Sequence, residues 1–214
     1  RFDDIRADMI RSLQNSVAKR PSSQVIDDLN EALVYGEWGE EALIAALEKT
    51  DMSDLDDYVR RFWTSAAAEV LIYGNYHADE VQQLSKMLER VVSSAPAPTL
   101  PELKVLKLAA GESVQYPVTV QHDDSVVAWY LQGAGDTWPD KAATALTVQV
   151  MSSGFFQELR TEQQLGYVVG AVNYSKAEVP GLVLLVQSPV ADANAVANAM
   201  QKFMLAVMPG LDEA

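Results

Sequence analysis

The chain has 214 residues, 49% hydrophobic and 21% charged, with a formal net charge of −14 and no cysteine. This is ordinary globular composition, long enough for a sizeable core. It excludes disulfides, thiol chemistry and thiolate metal sites. The acid is spread along both halves and there is no basic stripe to neutralise phosphates, which argues against a nucleic-acid partner. No apolar run approaches the ~18 residues that a membrane-crossing helix needs. The chain opens at Arg1 within a helical pattern, and is expected to be cut from a longer protein.

The first 93 residues read as mainly helical. Phe2, Ile5, Met9, Leu13 and Val17 form one apolar stripe at helical spacing. Pro21-Ser22-Ser23 interrupts it, and a second helix carries Val25, Ile26, Leu29, Leu33 and Val34, with Gly36 as its stop. Glu40–Glu48 gives a short third helix. Ser53 and Asp56 have the spacing of a capping box. They would open a fourth helix with Leu55, Tyr58, Val59, Phe62 and Trp63 turned inward. Glu69–Tyr73 reads as a short strand ending at Gly74-Asn75, and a helix through Val81, Leu84, Leu88 and Val91 follows.

Residues 94–104 read as a Pro-rich linker, since Pro96, Pro98 and Pro101 cannot continue a helix. Beyond it the period changes. Val114–Gln121 and Val126–Gln132 read as strands flanking a turn at His122-Asp123-Asp124. Thr137-Trp-Pro-Asp140 can cap a helical region running to Leu159. Strands are expected at Tyr167–Tyr174 and Leu182–Gln187, joined through Pro180-Gly181. A final helix carries Val196, Met200, Phe203 and Val207 and stops near Pro209-Gly210. The expected class is α+β, with helices covering one face of a mainly antiparallel sheet.

Little in the chain carries recognisable chemistry. The two histidines, His77 and His122, stand in neither a His-x-x-Glu-His nor a His-Glu-x-x-His frame, where helical spacing would aim two imidazoles at one zinc. His77 reads as a helix cap or surface residue, and His122 as a turn residue. Hence the chain is expected to bring no metal site. Nucleotide-binding and serine-hydrolase motifs are absent. The carboxylates of Asp123-Asp124 read as exposed turn groups.

One segment stands out, Ser153 to Val169. It ends a long helix with Arg160 and Thr161, and starts a strand at Tyr167 after Gly166. That arrangement can turn a cation and a phenol toward one space, where both can hydrogen-bond a peptide backbone or a developing oxyanion. The same residues also suit an arginine balancing a helix C-terminus and a tyrosine packed at a strand edge. Spacing alone favours that structural alternative.

Leu159-Arg-Thr-Glu-Gln-Gln-Leu-Gly-Tyr167 resembles a segment in the fourth domain of the pitrilysin/insulinase peptidase family. Further landmarks follow family order over nearly the whole chain: Arg1-Phe2, Arg11–Asn15, Leu71–Asn75 and Leu184–Ser188. The resemblance implies pitrilysin-type (LuxS/metallohydrolase-like) α+β domains: residues 1–93 as the end of a third domain, 94–104 as linker, and 105–214 as the start of a non-zinc-binding fourth. It implies a parent zinc endopeptidase whose zinc lies in its N-terminal domain. Peptide substrate and the protein's own N-terminal half would be the partners. By residue match Arg160 and Tyr167 would bind substrate, with Tyr167 also catalytic. A fragment of an inactive relative, serving as scaffold or assembly partner, is the competing reading. Relatives occur in the bacterial periplasm and in the cytosol, and the expectation leans to the periplasm.

Overall fold

The structure is a computed structural model that describes residues 1–66, 68–91, 99 and 101–211. The helices are α1 (Phe2–Gln14), α2 (Pro21–Leu33), α3 (Glu40–Lys49), α4 (Met52–Ser65), α5 (Ala78–Val91), α6 (Trp138–Phe156) and α7 (Ala193–Leu211). The strands are β1 (Ser125–Gln132), β2 (Val168–Asn173) and β3 (Gly181–Ser188). The class is α+β, and among the described residues no helix is long and apolar enough to cross a membrane. Two compact units divide the chain within α1 and α3. One comprises Arg1–Ala7 and Ala45–Glu102, the other Asp8–Ile44 and Leu103–Ala214.

In the first unit, α4 takes its cap two positions earlier than the Ser53/Asp56 spacing suggested. Asp51 is the cap: its Oδ1 accepts from the backbone N–H groups of Ser53 (2.7 Å) and Asp54 (3.1 Å). The Asp54 carboxylate answers by accepting from Asp51 N–H at 2.9 Å. Asp51 satisfies two of the N–H groups that every helix start leaves unpaired. The stripe Leu55, Tyr58, Val59, Phe62 and Trp63, expected inward, is 39–57% exposed. Residues 69–73 pair with no strand among the described residues, and Leu71 and Tyr73 are almost fully exposed. A strand needs a hydrogen-bonded neighbour, and β-propensity alone supplies none. Of the expected linker, residues 94–98 and 100 lie outside the described residues.

The second unit is built on a three-stranded antiparallel sheet in the order β1-β3-β2. Opposite residues share a face: Val127 and Val169 flank Val186, while Trp129 and Ala171 flank Leu184. This face packs on α6 and α7. Along α6 and the turn beyond it, Val148, Met151, Phe155 and Leu159 recur every three to four residues and are buried. From α7, Val196, Met200 and Phe203 close the core. Phe155 and Phe203 meet edge to face at 5.2 Å. Burying each such large apolar side chain contributes roughly 1.5–3 kcal/mol. Thr137 and Asp140 form the expected capping box at the start of α6, and α7 runs through Pro209-Gly210 to Leu211.

The sheet is covered on its other face as well, against the expectation of helices on one side. Val183 and Gln187 point away from the α6/α7 core, yet both are completely buried. Helix α2 lies over them: Ser22 N–H donates to Gln187 Oε1 (3.0 Å), and Tyr174 Oη donates to the Ile26 carbonyl (3.3 Å). Helix α2 ends at Leu33, and Val34 instead bridges to Val105. Residues 114–121, expected as a strand, pair with no strand among the described residues, and Val114 and Tyr116 stay exposed. The β2–β3 reversal falls at Lys176–Val179 rather than Pro180-Gly181. Ala177 and Glu178 there adopt positive φ angles of 45° and 36°, the left-handed pair that a tight hairpin uses.

Candidate functional site

Within the segment Ser153–Val169, residues 153–162 continue α6 as one unbroken helical run whose last turn widens to a π-helix at Gln157–Glu162. Such turns occur mostly as single insertions, often at functional positions. Leu159 is buried in the core, which leaves the next residue, Arg160, on the outer side. The run ends at Gln164, whose φ of 51° is left-handed, and Leu165 N–H closes onto the Leu159 carbonyl at 3.0 Å. The turn therefore falls two residues before Gly166, where the sequence placed it. Gly166 has a different job: it passes so close to β3 that a Cβ would collide with the Gln187 carbonyl oxygen.

The two candidate residues leave this turn toward different partners. Arg160 Nη1 donates to the Gly166 carbonyl, the peptide immediately before Tyr167. Tyr167 is 45% exposed, and its phenol donates to Asp124 Oδ2 at 2.8 Å. Gln187 Nε2 donates to the same carboxylate oxygen at 2.8 Å and also to the Tyr167 hydroxyl. Because Gln187 Oε1 already accepts from Ser22 N–H, its amide can only present Nε2 toward the pair. The result is a four-residue knot drawing on the α2 N-terminus, the residue before β1, the residue before β2 and the end of β3.

Its electrostatics follow from those bonds. The Asp124 carboxyl is held below its ordinary range, chiefly by the Gln187 amide and then by the Tyr167 hydroxyl. The Tyr167 phenol is pushed up, first by its hydrogen bond to Asp124 and then by burial and the carboxylate charge. Arg20, at the start of α2, acts in the opposite direction. His122 Nδ1 accepts from Asp124 N–H at 3.0 Å. Nδ1 also lies 3.6 Å from Asp124 Oδ1, and His122 gives the smallest of the downward pushes on that carboxyl.

Asp124 and Gln187 were not legible as site residues. Asp124 read as an exposed turn carboxylate, but its side chain is only 10% exposed. The one signal was a glutamine on the buried strand β3, since a buried amide must find partners. His77 sits where the sequence put it, capping α5: its carbonyl accepts from Glu80 and Val81 N–H, and its own N–H donates to Glu80 Oε2 at 2.8 Å. Among the described residues no three His, Cys, Asp or Glu side chains are placed to hold a metal.

Residues 146–214 match the family model described as PQQ synthase PqqF-like, C-terminal lobe domain 4. The insulin-degrading enzyme of Drosophila melanogaster is 26% identical over 226 residues, covering 100% of this chain and 23% of that protein. The Homo sapiens insulin-degrading enzyme is 25% identical over 199 residues, covering 88% of this chain and 19% of its own length. The crystal structure of pitrilysin superposes with a TM-score of 0.76 at 16% identity, over 96% of this chain and 24% of that one. The fold is therefore pitrilysin-like. The chain is similar to members of the pitrilysin/insulinase peptidase family and spans about a quarter or less of the length of these relatives.

Proposed function

We propose that this chain is part of the C-terminal half of a zinc-dependent endopeptidase, in which it helps to hold an extended peptide and stabilise the reacting carbonyl without supplying the zinc. Residues 1–93 would end the third domain and residues 105–214 begin the fourth, with the N-terminal half of the same protein as partner. Zinc in that other half would supply a metal-bound water as nucleophile. Alone, the chain would bind no stoichiometric zinc and cleave no peptide.

The observation that carries this reading is the state of Tyr167. A tyrosine kept only for strand-edge packing would bury its ring and leave its hydroxyl in water. Here the ring is half-exposed, while the hydroxyl is aimed and held by two side chains. A positioned phenol can donate to a carbonyl oxygen as negative charge builds on it. Arg160, one turn earlier, offers several donors to peptide carbonyls.

The test is made in the full-length parent. Tyr167→Phe keeps the ring and deletes the donor, and should lower kcat by about 10²–10³ with zinc content unchanged and only a small drop in melting temperature. Arg160→Ala should lower kcat/KM, with part of the loss in KM. Full activity of Tyr167→Phe would return Tyr167 to a strand-edge packing role. A parent that lacks the upstream His-x-x-Glu-His would move the chain to the other class, a non-catalytic relative acting as scaffold.

A further inference from the structure

A phenol has one hydrogen to give, and in this structure that of Tyr167 is already given to Asp124. The oxygen is meanwhile fixed from the other side by the Gln187 amide, and that amide is itself locked by Ser22 N–H. The oxygen can therefore stay in place while its O–H bond swings from one acceptor to another. A carboxylate is a stronger acceptor than a neutral peptide carbonyl. It is matched only when that carbonyl becomes an oxyanion.

Resting on the reading of Tyr167 as the donor, we propose that Asp124 is a positioning residue that withholds the Tyr167 hydrogen from the ground-state substrate carbonyl and yields it only to the oxyanion of the transition state. The contact thus removes uniform binding, which raises affinity without raising rate, and keeps the transition-state part. The other charged group acting on the phenol is Arg20 at the start of α2. His122 is the neighbour on the Asp124 side. Neither can accept the phenolic hydrogen in place of Asp124: Arg20 has no acceptor atom, and the His122 lone pair is engaged by Asp124 N–H.

Asp124→Asn leaves an acceptor of the same shape but removes its charge. In the 214-residue chain labelled with ¹³C at tyrosine Cζ, Tyr167→Phe identifies the Tyr167 resonance. Its alkaline titration midpoint should fall in Asp124→Asn, and an unchanged midpoint overturns the contact itself. In the full-length parent, Asp124→Asn should lower KM, so that kcat/KM rises about five- to tenfold, and this effect should vanish in the Tyr167→Phe background. A folded Asp124→Asn enzyme with raised or unchanged KM overturns the proposal while leaving the donor reading intact. So does a KM effect that persists without the phenol. Full activity of Tyr167→Phe instead overturns the donor reading, and the proposal with it, whatever the titration shows.

Discussion

Ser22 and Gln187, 165 residues apart in sequence, are joined by a 3.0 Å hydrogen bond from the backbone N–H of one to the side-chain Oε1 of the other. Arg20 precedes α2 without capping it through its side chain, and Pro21 has no N–H to satisfy. The first free N–H of α2 is thus capped from the sheet rather than by a neighbour in sequence. Gln187→Leu fills the same space but leaves that buried N–H unpaired. It should cost about 1–3 kcal/mol in urea unfolding, with the core on the α6/α7 face intact.

Gly166 lies against the backbone of β3, where no side-chain rotation can relieve a clash. Gly166→Ala must push β2 from β3 or move the turn that carries Tyr167. A loss of about 1–3 kcal/mol or more is expected, read as a lowered denaturation midpoint. A fall in the alkaline titration midpoint of Tyr167 should accompany it.

At the start of α6, Asp140 N–H reaches Thr137 Oγ1 at 3.4 Å, and Thr137 N–H reaches Asp140 Oδ2 at 3.2 Å. Thr137→Ala removes one side of this box and should cost about 1 kcal/mol in thermal or chemical unfolding. Thr137→Ser, which keeps the hydroxyl, should recover most of it.

Acid should weaken the knot from the Asp124 side. Its folded-state carboxyl titrates below the ordinary value of 3.8. The charged form therefore contributes stability that is fully present above that value and is lost as the pH falls through the lowered one. Tyr167 has the opposite sign: its raised value contributes below about pH 10 and is lost as the pH rises through it. Urea midpoints measured between pH 5 and pH 2 should fall more steeply in the wild type than in Asp124→Asn. Parallel curves would show that Asp124 is not held as described.

What the sequence made legible is what short range determines. The Thr137/Asp140 box spans three residues. The stripe Met151, Phe155 and Leu159 and the alternation Leu182, Leu184 and Val186 each follow from the period of one element. Residues 69–73 and 114–121 have strand composition but no pairing partner. The Ser53/Asp56 spacing lost to Asp51/Asp54, a box of equal spacing whose cap oxygen reaches two N–H groups. The Tyr167 site was half legible. Arg160 and Tyr167 lie in one segment, but Asp124 and Gln187 join them only through pairings of β1 and β2 with β3. The limits of helix α2 follow from Pro21 and the apolar stripe to Leu33, but its place over the sheet depends on residues far downstream.

That separation sets an order of events during synthesis. Helix α2 leaves the ribosome before β3, and Gln187 follows Ser22 165 residues later, a delay of roughly 8–33 s at about 5–20 residues per second. Throughout that interval the N–H of Ser22 can be met only by water or by a temporary partner, and the sheet-facing side of α2 has no sheet. Assembly of this unit is thus a late, long-range closure rather than a progression from the N-terminus. A chaperone that holds α2 would act before β3 exists, whereas one that binds the finished sheet would act too late to shield it.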